Sequence, residues 1–397
     1  MATVLDVNGA PVAARMQSPA QSAAQSAAQS ALQAAAILTV ISGDVLVRAT
    51  GRDFTSATDG AVLYVGSTVR TSADARAVLT LFEGSTVELE PASDITIEEA
   101  TARGGSTIVE LAQSLGRSWH VVTHLTTADS RYEVRTPAAT ASVRGTSFEV
   151  AIDDGPTGSA TTVTTTEGRV ATADAAATTE VLVTADQTTT VRANSAPEPP
   201  RSVPDAQRVV TVSVLSESSL VVDPLGRANG FKDGRVLAQT PGARVRMENG
   251  TIVVTLPNVP DGAFATTVAP SAGAPVPVTT TVVDRGEEPV TITSAAAGGA
   301  SATSGVVLHK TNGKSEMRVL TSDEADQLPD AKVSPKKATG EENVSPSASE
   351  TPALDGAPTT QSTPRPSASP APKTGDTAPP FVTPRRTAAP TPTPTRR

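Results

Sequence analysis

The stretch Tyr132–Val150 reads YEVRTPAATASVRGTSFEV, and its pattern decides the fold class. Tyr132, Val134 and Thr136 alternate with Glu133 and Arg135, the period-two signature of a strand with one buried face. Pro137 has no N–H to offer a neighbouring strand, so regular pairing stops there. Ala138–Val143 is small and largely apolar, which suits a segment passing close beneath a neighbour. Gly145 then stands between β-formers, where glycine marks a bulge or a close backbone approach. Arg144 beside it carries a planar cation able to bond several carbonyls at once. The stretch therefore reads as a strand, a turn and a second strand, with Arg144 a capping arginine. The competing reading places Arg144 on a partner or ligand surface.

Outward from this stretch, glycine spacing carries the same message. Gly66-Ser-Thr-Val recurs as Gly84-Ser-Thr-Val, each after an apolar run (AVLYV, AVLTLF) and before a further strand (VRT, VELE). Gly43-Asp44-Val45 and Gly104-Gly105 open similar units. Short strands punctuated by glycine turns at this pace predict an all-β body, a β-sandwich or a short β-solenoid. A body of this length buries roughly 68–70% of its chain surface, enough to fold by itself.

Composition shifts divide the chain. Residues 1–36 form an Ala/Gln-rich spacer (QSAAQSAAQSALQAAA), read as helical or disordered; residues 37–193 form the first β body; residues 194–206 (NSAPEPPRSVPDA) form a Pro-rich linker. Residues 207–320 read as a second, β-sandwich-like module, with a turn cluster at Asp223-Pro-Leu-Gly-Arg227 and an alternating strand at Thr251–Leu256. Residues 321–397 are a Pro/Thr/Ala/Ser tail whose one aromatic is Phe381, too apolar-poor to offset its ordering entropy, hence read as disordered. Pro372-Lys-Thr-Gly-Asp376 in that tail resembles the core of a sortase-type cell-wall sorting signal, but Ala371 stands in the leucine position and no apolar span follows, so the match reads as coincidence. The expectation is thus all-β, two modules and a disordered Pro/Thr-rich C-terminal tail.

Charge and chemistry exclude more than they propose. The net charge of −9 argues against a nucleic-acid partner. The chain holds no cysteine, so disulfide frameworks and thiolate metal sites are excluded. The apolar run Ala34–Ile41 is too short for a membrane span and reads as the first strand; no signal peptide is visible, so export by another route or a start upstream of Met1 is expected. His120 and His124, in WHVVTHL, lie about 13 Å apart on a strand, too far to share a metal. Trp119, the single tryptophan, reads as a core or edge anchor. Asp223 suits an Asx turn better than a Ca²⁺ ligand, since the dense Asp/Asn/Gly spacing of calcium loops is missing. The adjacent carboxylates Glu98-Glu99 and Asp153-Asp154 read as solvated edges. Neither a catalytic residue, nor a cofactor, nor a metal is expected, and the chain is not expected to be an enzyme.

The motifs GDVLVR (43–48), GSTVRTSADARAVLTLFEGSTVELEPASDITI (66–97), GRSWHVVTHL (116–125), TPAATASVRGTSFEV (136–150) and TTTEGRVATA (164–173) occur in the order found in FecR-like domains, and residues 37–192 resemble that family. The resemblance makes Thr136, Pro137, Arg144, Gly145 and Thr146 the family-signature positions, with structural roles. It implies an extracytoplasmic module, secreted, periplasmic or at the cell surface, that binds or senses an envelope protein or surface polymer. The alternative it implies is a transmembrane anti-sigma-type regulator whose N-terminal part is missing from this chain, or a structural surface protein.

Overall fold

A computed structural model describes residues 34–155, 158–269, 274–296, 302–328, 330–333 and 335–338. The Ala/Gln-rich spacer before residue 34 and the tail beyond residue 338 lie outside the described residues. The first β body is a sandwich of two sheets that share one strand, Ser106–Val121. In one sheet that strand, from Gly116 onward, runs between Thr86–Leu89 and Ser147–Gly155, and the sheet continues outward through Arg76–Leu81 and Ala36–Ser42 on one side and Gly158–Glu167 and Gln187–Arg192 on the other. In the other sheet its first half lies between Asp94–Arg103 and Arg131–Arg135, followed by Ala139–Val143, Arg169–Asp174 and Glu180–Thr184. Its pairing with Arg131–Arg135 is parallel and the other pairings of the body are antiparallel, so the body is a sandwich rather than a solenoid of parallel coils.

The opening stretch contributes three strands rather than two. Arg131–Arg135 and Ala139–Val143 form a hairpin around Pro137 in one sheet, and Ser147–Gly155 then crosses to the other. The repeated tetrapeptides do equivalent work in opposite layers. Gly66 and Gly84, both at positive φ, turn the chain into Thr68–Thr71 of one sheet and Thr86–Leu89 of the other.

The shared strand changes sheets at Gly116, where φ is +78°. A Cβ there would lie 2.5 Å from the Ala92 carbonyl oxygen and 2.6 Å from Ser93 Cα, so the corner is open to glycine alone. Beside it runs a buried polar chain. Gln113 Nε2 donates to the carbonyls of Gly116 (3.0 Å) and Val150 (3.3 Å), and Gln113 Oε1 accepts from Ser118 Oγ at 2.5 Å. Ser118 Oγ is 2.7 Å from His120 Nε2, and His120 Nδ1 is 2.8 Å from the Tyr132 hydroxyl. Since the Ser118 proton is committed to Gln113, His120 donates from Nε2 and accepts from Tyr132 at Nδ1. His120 also stacks on Phe148 at 4.7 Å and is fully buried, which lowers its pKa to about 3. The surrounding core is aliphatic: Leu38, Leu79, Leu81, Ile95, Ile97, Leu111 and their neighbours, with Tyr132 and Phe148 as its buried aromatics.

The second body is a sandwich of a five-stranded and a six-stranded antiparallel sheet. Arg208–Leu215 lies between Thr251–Pro257 and Val276–Asp284 in the first, and Ser219–Val222 and Gly262–Val268 centre the second. Val210, Val212, Ile252, Val254 and Val278 meet Val221, Phe264 and Leu308 in its core. The segment 194–206 is tied down rather than slack. The Glu198 N–H bonds the Thr190 carbonyl, Thr189 Oγ1 bonds the Glu198 carbonyl, and Arg201–Ser202 pairs with Gln187–Thr188.

Two outcomes are expected. Gly116→Ala should lower unfolding stability by on the order of 3 kcal/mol, through backbone strain plus contact with residues 92–93, read as a shifted denaturant midpoint at unchanged slope. A loss under about 0.5 kcal/mol would show the corner to be unconstrained. Because His120 titrates at about 3 folded and about 6.5 unfolded, the stability it carries is complete above about pH 6.5 and drains as pH falls, by up to about 1.4 kcal/mol per pH unit. His120→Gln should flatten that acid limb of the stability–pH curve, and equal slopes for both proteins would refute the assignment.

Candidate functional site

The core-facing rung Leu79–Val87–His120–Phe148 has an outward neighbour, Val78–Glu88–Trp119–Glu149, on the opposite face of the same sheet. Alternation alone would leave that face in water. It is covered instead, with Val78, Glu88 and Trp119 exposed by 0, 1 and 2%. The cover comes from the second sandwich. Trp119 Nε1 donates to the Ala238 carbonyl at 2.9 Å, and Gly226 lies against Ile41. A tryptophan removed from water this way hides about 150–250 Å², worth on the order of 4–6 kcal/mol before ordering entropy.

Arg227 crosses the same joint. Its turn is organised by Asp223, whose Oδ1 accepts the N–H groups of Leu225 (2.9 Å) and Arg227 (3.0 Å). Asp223 Oδ2 accepts Arg227 Nε at 2.7 Å and Thr240 Oγ1 at 2.9 Å. All four contacts are with donors, so Asp223 is the anchor of an Asx turn. Arg227 Nη1 then reaches Glu90 at 2.8 Å and stands 3.6 Å from Glu88, and Arg76 pairs with Glu90 at 3.2 Å. Burial pushes the Glu88 carboxyl well above the ordinary range, against the pull of Arg227.

Beside this seal the two sandwiches part to leave a cleft of about 1210 Å³. Arg117, Glu149, Asp186, Arg244 and the rim of Trp119 line it, with Pro241 and Pro257 from the second sandwich. Arg117 pairs with Glu149 at 3.2 Å, and Arg244 bonds Asp186 and the Thr166 carbonyl (3.2 Å) across the joint. Burial raises the Glu149 carboxyl, with Arg117 opposing. The walls thus present paired charges of both signs with proline edges. Among the described residues no group of three or more His, Asp or Glu is placed to hold a metal ion. Ser118 and His120 form a hydroxyl–imidazole pair, but both are sealed in the core, away from any reactant.

The five signature residues stand elsewhere, and none lines the cleft. Thr136 closes the hairpin: its Oγ1 accepts the Ala139 N–H (2.9 Å) and meets Thr161 Oγ1 (2.7 Å), with Pro137 exposed at the tip. The Arg144 carbonyl accepts the Leu125 N–H, and its guanidinium bonds the Ala128 carbonyl. Thr146 takes the Val122 N–H on its carbonyl and bonds the Arg169 carbonyl through Oγ1 at 3.0 Å. Gly145, at φ +134°, lets His124 approach; a Cβ would lie 2.8 Å from Nδ1 and 3.0 Å from Cα. Arg144, Gly145 and Thr146 together hold down the connection from Val121 to Arg131. Glu98 and Glu99 are not free edges but face Arg135 (3.4 Å) and Arg131 (3.7 Å). The residues that sequence reasoning missed are Glu88, Glu90 and Arg227; the only signal for them was an alternating VELE whose charged face looks solvent-bound.

Residues 67–171 match the family model described as FecR protein, and the first sandwich therefore carries a FecR domain. The match falls inside the span 37–192 whose motifs resemble that family. Among solved structures, two crystal structures of a protein from Parabacteroides distasonis, provisionally described as an anti-sigma factor, resemble the chain at 16% identity and a TM-score of 0.29, covering 34% of this chain and 59% of that one. The chain thus spans less than two thirds of the neighbours' length. No curated protein matches it.

Gly145→Val should cost roughly 1–3 kcal/mol, because a branched side chain meets both a disfavoured φ and His124. A melting temperature equal to that of the unaltered protein would remove the glycine's structural role.

Proposed function

We propose that the chain is a non-catalytic FecR-domain protein acting outside the cytoplasm, where it binds or senses an envelope protein or surface polymer. The FecR match at residues 67–171 carries this reading. The cleft supports it with a place: mixed, paired charges and proline edges suit a peptide or polymer segment, and the sealed Ser118–His120 pair offers no reactive group to a substrate. Among the described residues no helix is long and apolar enough to cross a membrane. The second reading, a transmembrane anti-sigma-type regulator, shares the same FecR domain and is separated from the first by the genomic sequence upstream of Met1, where it requires an in-frame membrane helix.

The test is capture from envelope extract by the full chain, with and without Arg117→Glu and Arg244→Glu. Both side chains are partly exposed at the cleft, so the doubly substituted protein should melt within a few degrees of the unaltered one yet lose most of the captured partner. Equal capture by both proteins would move the binding surface away from the cleft, and no capture by either would overturn the binding reading.

A further inference from the structure

Glu88 stands at the centre of the joint with 1% of its surface exposed, and neither of its carboxylate oxygens has a hydrogen-bond partner. Its facing cation is already committed: Arg227 bonds Asp223 at 2.7 Å and Glu90 at 2.8 Å, and stands off from Glu88 at 3.6 Å. The charges around Glu88 come from both sandwiches. The FecR sandwich supplies Arg76 on the flanking strand and Glu90 two residues beyond Glu88, and Glu149 with its partner Arg117 beyond Trp119. The second sandwich supplies Arg227 and Asp223. With Glu88 neutral, Arg76 and Arg227 balance Glu90 and Asp223, and Arg117 balances Glu149. An ionised Glu88 would leave one uncompensated negative charge in a dry joint, a costly arrangement.

We propose that Glu88 is a pH-sensitive latch between the two sandwiches: protonated, it lets the second sandwich seat on Trp119, and its ionisation as pH rises loosens that seat. The direction follows chiefly from burial, which raises its carboxyl against the pull of Arg227, with the like charges of Glu90 and Asp223 adding to the rise and Arg76 opposing it. A carboxyl raised in the folded state contributes fully below the ordinary carboxylate range, and that contribution is lost as pH climbs through the folded value. A Glu–Arg pair designed for permanent attraction would place the two in hydrogen-bond contact. Here the carboxylate oxygens are unbonded and the guanidinium is taken up by two other acids. The latch does not depend on what occupies the cleft.

The protein carries its own reporter, because Trp119 is its only tryptophan and bonds across the joint to Ala238. Tryptophan emission and acrylamide quenching of the full chain are followed from about pH 6, above the range in which His120 takes up a proton, to about pH 9.5. In the unaltered protein the emission should shift to the red and quenching should at least double in a single titration step. Glu88→Gln, of the same shape and permanently neutral, should abolish the step and hold the low-pH spectrum throughout. Glu149→Gln, on the other side of the same tryptophan, should leave the step in place. Absence of a step in the unaltered protein overturns the proposal, as does a step that survives Glu88→Gln or vanishes in Glu149→Gln. Hydrogen exchange of the unaltered protein gives an answer independent of any variant's folding. Protection of Ala228–Ala238 should fall with rising pH relative to Thr251–Pro257 of the same sandwich, and parallel behaviour of the two segments overturns the latch.

Discussion

The donor chain from Tyr132 through His120, Ser118 and Gln113 to the carbonyls of Gly116 and Val150 is the interaction on which the first sandwich depends. A strand that serves two sheets must bend between them, and the bend strips backbone carbonyls of their ladder partners in the middle of the core. An unpaired buried carbonyl costs about 1–3 kcal/mol, so a bend of this kind needs internal donors. Gln113 supplies them, and Ser118 and His120, both on the same strand, fix the orientation of the amide. Every proton in the chain points one way, which makes a neutral His120 a structural requirement rather than an accident of burial. The polar chain thus specifies where the strand turns, while the aliphatic residues around it supply the bulk of the stabilisation.

Magnitudes separate what holds the two sandwiches together from what tunes them. Covering Trp119 is worth several kcal/mol, whereas a buried ion cluster of the Asp223–Arg227–Glu90 kind roughly breaks even against its desolvation. The tryptophan therefore seats the second sandwich, and the charges set its register and its response to conditions. A third tie comes from the residues after the one-turn helix Ser322–Asp326, which Thr321 caps. Lys332 Nζ bonds the Val40 carbonyl at 2.6 Å, the Gln239 amide reaches the Lys332 carbonyl, and the Ala338 N–H bonds the Leu81 carbonyl at 3.2 Å. The chain leaves the second sandwich by crossing back over the first, so segments that composition assigns to a linker and a tail both serve as packing.

Much of the fold was legible, and for simple reasons. Period-two alternation in YEVRT, the proline that ends it and the glycines of the two GSTV units report local constraints that any all-β arrangement must meet. Gly145 was legible for the same reason, since a glycine between β-formers advertises a backbone that no other residue fits. The candidate site was not. Glu88 alternates with Val87 and Leu89 as a solvent-facing residue should, and Arg227 sits in an ordinary turn sequence. What changes their meaning is the arrival of a second sandwich on that face, which depends on contacts across more than a hundred residues. The histidines show the same limit. Sequence spacing excludes a shared metal, but it cannot show that His120 belongs to a hydrogen-bonded chain in the core while His124 packs under Gly145.

By itself the sequence determined an all-β chain that carries a FecR domain, because alternation, turn glycines and motif order are properties of neighbouring residues. Only the tertiary structure decided that one strand joins two sheets, that a glutamate lies without a hydrogen bond in a sealed joint and that a charged cleft opens beside it. Those outcomes rest on which surfaces exclude water from each other, and water is excluded by residues far apart in the chain.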